Sequence, residues 1–282
     1  MPGGAAVPWG VLARRHGLST ISAERADEHR RDRETEVIHS DARALFLAAL
    51  ARAPDDHYLH EGLANILEFL GDNAGASAAY RKALELQPQD FYVCLRLGSV
   101  LAKQGQYSEA VDLLRQAAKV RPSQPEVWYE LATAQALAGD YEEALKNFDR
   151  TCLLRPRDPA GQYYRLHYNG KRLAKLNRHP EAMEQYRKAI EFLPGNWEAH
   201  FELGGELDSV NQLDEATRQF GAAAQLNPGY SRTHFNYGVL LAKQRQFADA
   251  QREFEEAIRL DPEYAPARDY LAKLKLLIES KL

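Results

Sequence analysis

Residues 125–158 read PEVWYELATAQALAGDYEEALKNFDRTCLLRPRD, and this stretch decides the fold. Apolar and small residues recur at three and four spacing on both sides of Gly139, the period of two amphipathic helices joined by a short turn. Pro156 ends the second helix, because it has no N–H to donate and holds the preceding residue extended. Working outward, the same proline returns at Pro54, Pro88, Pro122, Pro156, Pro194, Pro228 and Pro262, at intervals of 34, 34, 34, 38, 34 and 34 residues. A fixed period of this length marks a series of supersecondary units, not one domain around one cleft.

Four further columns follow the proline. Twelve residues before it stand Ala42, Ala76, Ala110, Ala144, Ala182, Ala216 and Ala250; eight before it stand Phe46, Tyr80, Leu114, Phe148, Tyr186, Phe220 and Phe254. Five before it come Ala49, Ala83, Ala117, Thr151, Ala189, Ala223 and Ala257, and twenty-four before it Ala64, Gly98, Ala132, Gly170, Gly204 and Gly238. Small residues let helices approach closely, and a large ring or Leu fills the space beside them. The turn within each pair carries Gly71, Gly105, Gly139, Asn177, Asn211 and Arg245. Gly and Asn tolerate the left-handed conformation of a helix end. Arg245 is the odd member, so its turn is expected to be either strained or differently shaped.

Trp128, Leu131-Ala132, Gly139-Asp140-Tyr141, Glu143-Ala144, Phe148 and Pro156 together resemble the tetratricopeptide repeat family, and the resemblance runs from Val37 to about Ser280. It implies an all-α fold, a right-handed α-solenoid of helix-turn-helix units. Six full units are expected, at residues 57–90, 91–124, 125–158, 159–196, 197–230 and 231–264, with a degenerate half repeat at 37–56 and a capping helix at 265–282. Gln135, Asn169 and Thr151 depart from the pattern, and each puts a polar group near a packed surface where it needs a partner.

The fourth unit has four extra residues between Arg157 and Gln162. With Asp158 as N-cap and Pro159 as first helical residue, they predict one more helical turn over Pro159 to Leu176; a longer loop is the alternative. In the last helix Leu271, Leu274, Leu277 and Ile278 are expected to face inward, and Arg268, Lys273, Lys275 and Glu279 water. Ile38 to Arg52 reads as the second helix of the half repeat. Residues 1–36 match no repeat. Glu24 to Glu36 is almost continuously charged, a solvated helix or a disordered stretch. Met1 to Thr20 is either a cap making contacts through Trp9, Val11 and Leu12, or the remnant of a longer polypeptide.

In this family the first helices of successive units line a concave groove. Carried over unit by unit, the groove candidates are Tyr92, Arg96, Glu126, Tyr129, Glu130, Tyr164, His167, Tyr168, Lys171, Glu198, Phe201, Glu202, Phe235 and Asn236. Its rings and central carboxylates favour a protein or peptide guest that is basic or aromatic; each ring could equally serve core packing. The columns that clamp a chaperone tail carboxylate in related co-chaperones read Glu61, Asn65, Arg96, Glu126 and Glu130 here, and three carboxylates would repel such a guest. The asparagine ladder of the O-GlcNAc transferase array has one counterpart, Asn236.

The net charge of −4 gives no general case for nucleic acid. No apolar run is long enough to span a bilayer, and the apolar patch Ala5 to Ala13 precedes Arg14 and Arg15, the wrong order for a secretory signal. The cytoplasm is the expected compartment. No phosphate loop, nucleophile elbow or metal-spaced cysteine pair is present, so neither catalysis nor a cofactor is expected. Cys94 and Cys152 read as buried hydrophobes and not a disulfide. His60, His200 and His234 share a packing column with Cys94, Trp128 and Leu166; with His57 and Glu61 they do not form a metal set. The expected function is an interaction scaffold. A regulatory or docking tail of a larger enzyme is the alternative, and a module self-associating through its N-terminal edge or last helix is another.

Overall fold

The computed structural model describes residue 39 and residues 41–279. The expectations for residues 1–36 and for residues 280–282 lie outside the described residues. The chain forms two compact units, Met1–Val120 and Arg121–Leu282. The first contains α1 (residues 41–50), α2 (His57–Phe69), α3 (Asn73–Leu86), α4 (Phe91–Lys103) and α5 (Tyr107–Val120). The second contains α6 (Pro125–Leu137), α7 (Tyr141–Leu154), α8 (Pro159–Lys175), α9 (His179–Phe192), α10 (Trp197–Ser209), α11 (Leu213–Leu226), α12 (Ser231–Lys243), α13 (Phe247–Leu260) and α14 (Ala265–Glu279). Each unit is built of antiparallel helical hairpins, the all-α solenoid class that the period implies.

Polar caps start many of these helices. Asp56 Oδ1 accepts from the Tyr58 and Leu59 amides, Asp90 Oδ1 from Val93, and Asp158 Oδ1 from Ala160 at 3.0 Å. The turn column takes up positive φ throughout: 78° at Gly71, 77° at Gly105, 86° at Gly139, 57° at Asn177, 59° at Asn211 and 63° at Arg245. The Arg245 turn is not differently shaped. Gln246 N donates to Leu241 O at 2.9 Å, as Gln106 N does to Leu101 O at 2.9 Å. Its cost therefore lies in a side chain held in the left-handed region. At the far end of the hairpins the residue before the proline leaves the helical region, with φ of −138° at Gln87, −131° at Arg155, −136° at Leu193, −134° at Asn227 and −137° at Asp261.

Inside each hairpin the small column meets the large one. A Cβ at Gly170 would lie 2.5 Å from Tyr186 Cε1, at Gly204 2.9 Å from Phe220 Cδ2, and at Gly238 2.9 Å from Phe254 Cδ1. A larger residue there would cost about 1–3 kcal/mol by overpacking. Gly62 receives Phe46 in the same way, so the half repeat is seated on the first full hairpin. The polar departures come with partners, as required of buried polar groups. Asn147 Nδ2 donates to Gln135 Oε1 at 2.7 Å, Thr151 Oγ1 donates to Asn147 O at 3.1 Å, and Asn169 Nδ2 donates to Gln185 Oε1 at 3.1 Å.

The histidine column does more than pack. His60 Nε2 lies 2.7 Å from Pro54 O, His200 Nε2 3.2 Å from Pro194 O and His234 Nε2 3.1 Å from Pro228 O, while Trp128 Nε1 donates to Pro122 O at 2.8 Å. Each ring satisfies the carbonyl of the proline that closes the preceding hairpin. Where the column holds Cys94, Gln116 Nε2 donates to Pro88 O at 2.6 Å instead.

The four extra residues extend a helix. At 17 residues, α8 is one turn longer than the 13-residue α6 and α10. In α14, Leu274 is buried, and Leu271 and Ile278 pack on the cluster of Leu241, Ala250 and Phe254. Leu277 differs from expectation and is 41% exposed. At 100° per residue it falls off the stripe running through Ala267, Leu271, Leu274 and Ile278. Cys94 is buried and Cys152 half-buried, and both are free thiols. Among the described residues no helix is long and apolar enough to cross a membrane, and no three His, Cys, Asp or Glu side chains converge as a metal centre requires.

Candidate functional site

The second unit contains a cavity of about 280 Å³ between α6, α8 and α10, lined by Ala136, Leu137, Tyr141, His167, Tyr168, Lys171, Trp197, Glu198, Phe201, Glu202 and Tyr230. Helical spacing assembles it. His167, Tyr168 and Lys171 of α8, and Glu198, Phe201 and Glu202 of α10, each lie within little more than one turn, so each trio shares a face. The rings form a connected wall. Trp197 and Tyr230 have centroids 4.7 Å apart, Phe201 and Tyr230 5.6 Å, and Trp197 and Phe201 6.1 Å. On the opposite side Tyr168 stacks on Phe148 at 5.5 Å.

The charges are unequal. Lys171 Nζ donates to Glu202 Oε1 at 2.9 Å. The neighbouring carboxylate pulls the Lys171 ammonium pKa upward against the opposing effect of burial, which is the largest single influence on it. Glu198 has no ion-pair partner among the described residues. Burial holds its carboxyl above the usual carboxylate range, with Lys171 pulling the other way and Glu202 adding to the rise. His167 is 4% exposed and borders the cavity; its Nδ1 is buried without a hydrogen-bond partner. Burial first, and the Lys171 charge second, push its pKa down to about 3, so the imidazole is neutral. The cavity therefore offers two carboxylates against one ammonium, inside a ring-walled recess.

Six of the fourteen sequence candidates line this cavity: His167, Tyr168, Lys171, Glu198, Phe201 and Glu202. The others are placed elsewhere. Tyr129 and Tyr164, both half-buried, meet edge to face at 5.2 Å and pack on Phe148; burial raises the Tyr129 phenol pKa. Phe235 is enclosed by Phe254, Tyr264 and Tyr270. Glu126 pairs with Arg155 on the surface. Glu130 and Asn236 are half-buried and outside the cavity lining. In the first unit Tyr92 is exposed and Arg96 is bound to Glu68 at 2.9 Å.

Tyr141, Trp197 and Tyr230 were missed, because they sit at or just before the start of a helix and not in the carried-over columns. A signal was present. Tyr230 and Tyr264 each follow a repeating proline by two residues, and each covers a groove phenylalanine, Phe201 at 5.6 Å and Phe235 at 5.3 Å.

Models of the tetratricopeptide repeat match residues 39–91 and 95–161, residues 70–116, and residues 231–264, together more than half of the chain. No protein of curated function matches in sequence. Among solved structures, the fold is similar to that of the APC/C hetero-tetramer Cut9-Hcn1, with a TM-score of 0.67, 14% identity, and 84% of this chain matched to 46% of the other. A tetratricopeptide repeat protein from Parabacteroides merdae gives 0.66 at 15% identity, covering 90% of this chain and 98% of that one. Yeast Tom70 gives 0.62 at 23% identity, covering 86% and 52%. The chain thus spans about half the length of Cut9-Hcn1 and of Tom70 that it matches. These likenesses bear on the fold alone.

Proposed function

The chain belongs to the tetratricopeptide repeat family, whose members are protein-interaction scaffolds, and from that premise we propose that it binds a peptide or helix of a partner protein across α6, α8 and α10. The role is presentation, not catalysis. The observation that carries the reading is the ring-walled cavity with its surplus carboxylate, formed by first helices of successive hairpins. Helices held by buried glycine–ring contacts are already ordered before a guest arrives, so little entropy opposes docking. Rings of two torsions provide contact area at small entropic cost, and the carboxylates select for basic guests.

The test is selection from a random peptide library on the full-length protein. Enriched peptides should bind the Glu198→Lys, Glu202→Lys double variant at least tenfold more weakly. Reversal of Glu184 and Glu191, two exposed carboxylates of α9, should leave binding within twofold. Equal binding to both double variants removes the assignment of this face.

A further inference from the structure

We propose that the cavity between α8 and α10 is a socket for one arginine side chain of the bound peptide, with Glu198 as its carboxylate partner; this rests on the peptide-binding reading above. Three separate observations meet there. The first is charge. Glu202 is satisfied by Lys171 at 2.9 Å, and Glu198, one turn away on the same face, has no ion pair among the described residues. Among the lining residues one negative charge is in surplus. The second is shape. The cavity is bounded by the rings of Tyr141, Tyr168, Trp197, Phe201 and Tyr230, whose faces attract a cation through their quadrupoles. The third is a wall without a competing charge. His167 is 4% exposed and borders the cavity, and burial keeps its imidazole neutral.

The chemistry favours guanidinium over ammonium. A guanidinium is flat, presents donors in a fork that fits both oxygens of one carboxylate, and sheds its water more readily than an ammonium. The lining holds the Glu198 carboxylate as an acceptor, together with five aromatic residues. Both kinds of cation already lie over rings in this chain. Arg150 sits 4.3 Å above the Trp128 ring, whereas Lys175 Nζ remains 5.7 Å from Tyr141 at the cavity edge. Lys171 is committed to Glu202 and does not reach Glu198 within ion-pair distance.

The experiment uses full-length protein and the library-selected peptides, each carrying a benzophenone to map its position. In every arginine-containing peptide that cross-links to α8 or α10, arginine is replaced in turn by citrulline, lysine and trimethyl-lysine. Citrulline keeps the shape of arginine and removes the charge. The expected result is at least a tenfold rise in Kd with citrulline and a smaller rise with lysine. With Glu198→Gln, the arginine and citrulline peptides should bind alike, and Glu191→Gln should change nothing. Circular dichroism of the variants on heating confirms that they fold. Peptides that map to α8 and α10 but tolerate citrulline overturn the arginine socket and leave the interaction face standing. Tighter binding of lysine or trimethyl-lysine also overturns it, in favour of a general cation cage. Peptides that map nowhere on α8 or α10 overturn both.

Discussion

Arg96 in the first unit and Glu202 in the second occupy one repeat position, each 26 residues before a repeating proline, and they carry opposite charges. Both reach back to the preceding hairpin. Arg96 binds Glu68 at 2.9 Å, and Glu202 binds Lys171 at 2.9 Å. The surroundings differ in count. Glu68, 8% exposed, also takes Lys103 at 3.0 Å and the Tyr80 hydroxyl at 3.2 Å, so two cations close on one carboxylate. Around Glu202 the one ammonium pairs with Glu202 alone, and Glu198 has no ion pair among the described residues. One unit uses the position as a fastener; the other leaves a charge available. A shared backbone position thus fixes where a side chain goes and not what it does there.

The comparison is best broken by removing the two carboxylates in turn. Glu68→Gln strips a buried acceptor from two cations and a phenol and should cost about 2 kcal/mol, below the full penalty for a buried pair because Arg96 and Lys103 are half in solvent. Glu198→Gln should cost nothing or stabilise slightly, since it removes a half-buried charge without a partner. Urea unfolding of both variants decides it, and equal losses would erase the distinction. The pH dependence has a sign. The Glu198 carboxyl pKa is raised in the fold, so its contribution to stability is complete below the ordinary value of 4.5 and is lost as pH rises through the folded value. Glu198→Gln should flatten that limb of the stability curve.

A second closed pair sharpens the contrast. His234 Nε2 faces Pro228 O at 3.1 Å and its Nδ1 faces Glu253 Oε2 at 2.7 Å; both neighbours are acceptors, so the protonated ring is the form that satisfies both. The hydrogen bond to Glu253 is the main cause of its raised pKa, opposed by burial. Its contribution is complete below the unfolded value of about 6.5 and is lost as pH rises through the folded value. The urea midpoint should fall from pH 6 to pH 8.5 by the equivalent of about 1 kcal/mol, and His234→Gln should remove that component. An unchanged slope in the variant would place the titration elsewhere. The smallest effect concerns the turns. Gly105 and Arg245 make the same hydrogen bonds at φ of 77° and 63°. Arg245→Gly should therefore raise stability by about 0.5–1 kcal/mol, read from the same unfolding curves; a loss would show that the arginine side chain outweighs its strained backbone.

The sequence was most legible where one atom decides. A left-handed turn, a missing Cβ beneath a ring and a proline without N–H each leave a residue type at a fixed position, so Gly71, Gly170 and Pro156 could be read directly. The added turn of α8 was legible because Asp158-Pro159 is itself a helix start. The site was half legible. Column position identified His167, Lys171, Glu198 and Glu202, but it could not say how the half-buried rings of one column, Tyr129, Phe201 and Phe235, divide their surface between the ring beneath them and the groove. Pairing was hidden as well. Nothing in the order of residues says that Glu68 would be enclosed by Arg96 and Lys103 while Glu198 would stay unmatched. The histidine column was located correctly as a column, but its bond to the proline carbonyl needed the angle at which each hairpin meets the one before it.

The longer α8 bears on how a chain of this kind can change. Four residues advance a helix by about 400°, within about 40° of a whole revolution, so the segment after them resumes its old orientation. Two residues would turn it by about 200° and point the helix entrance the opposite way. Growth or shrinkage at the head of such a helix is therefore quantised. Inheritance can alter it in steps of a revolution, and fractional steps are screened out by geometry before any partner is consulted.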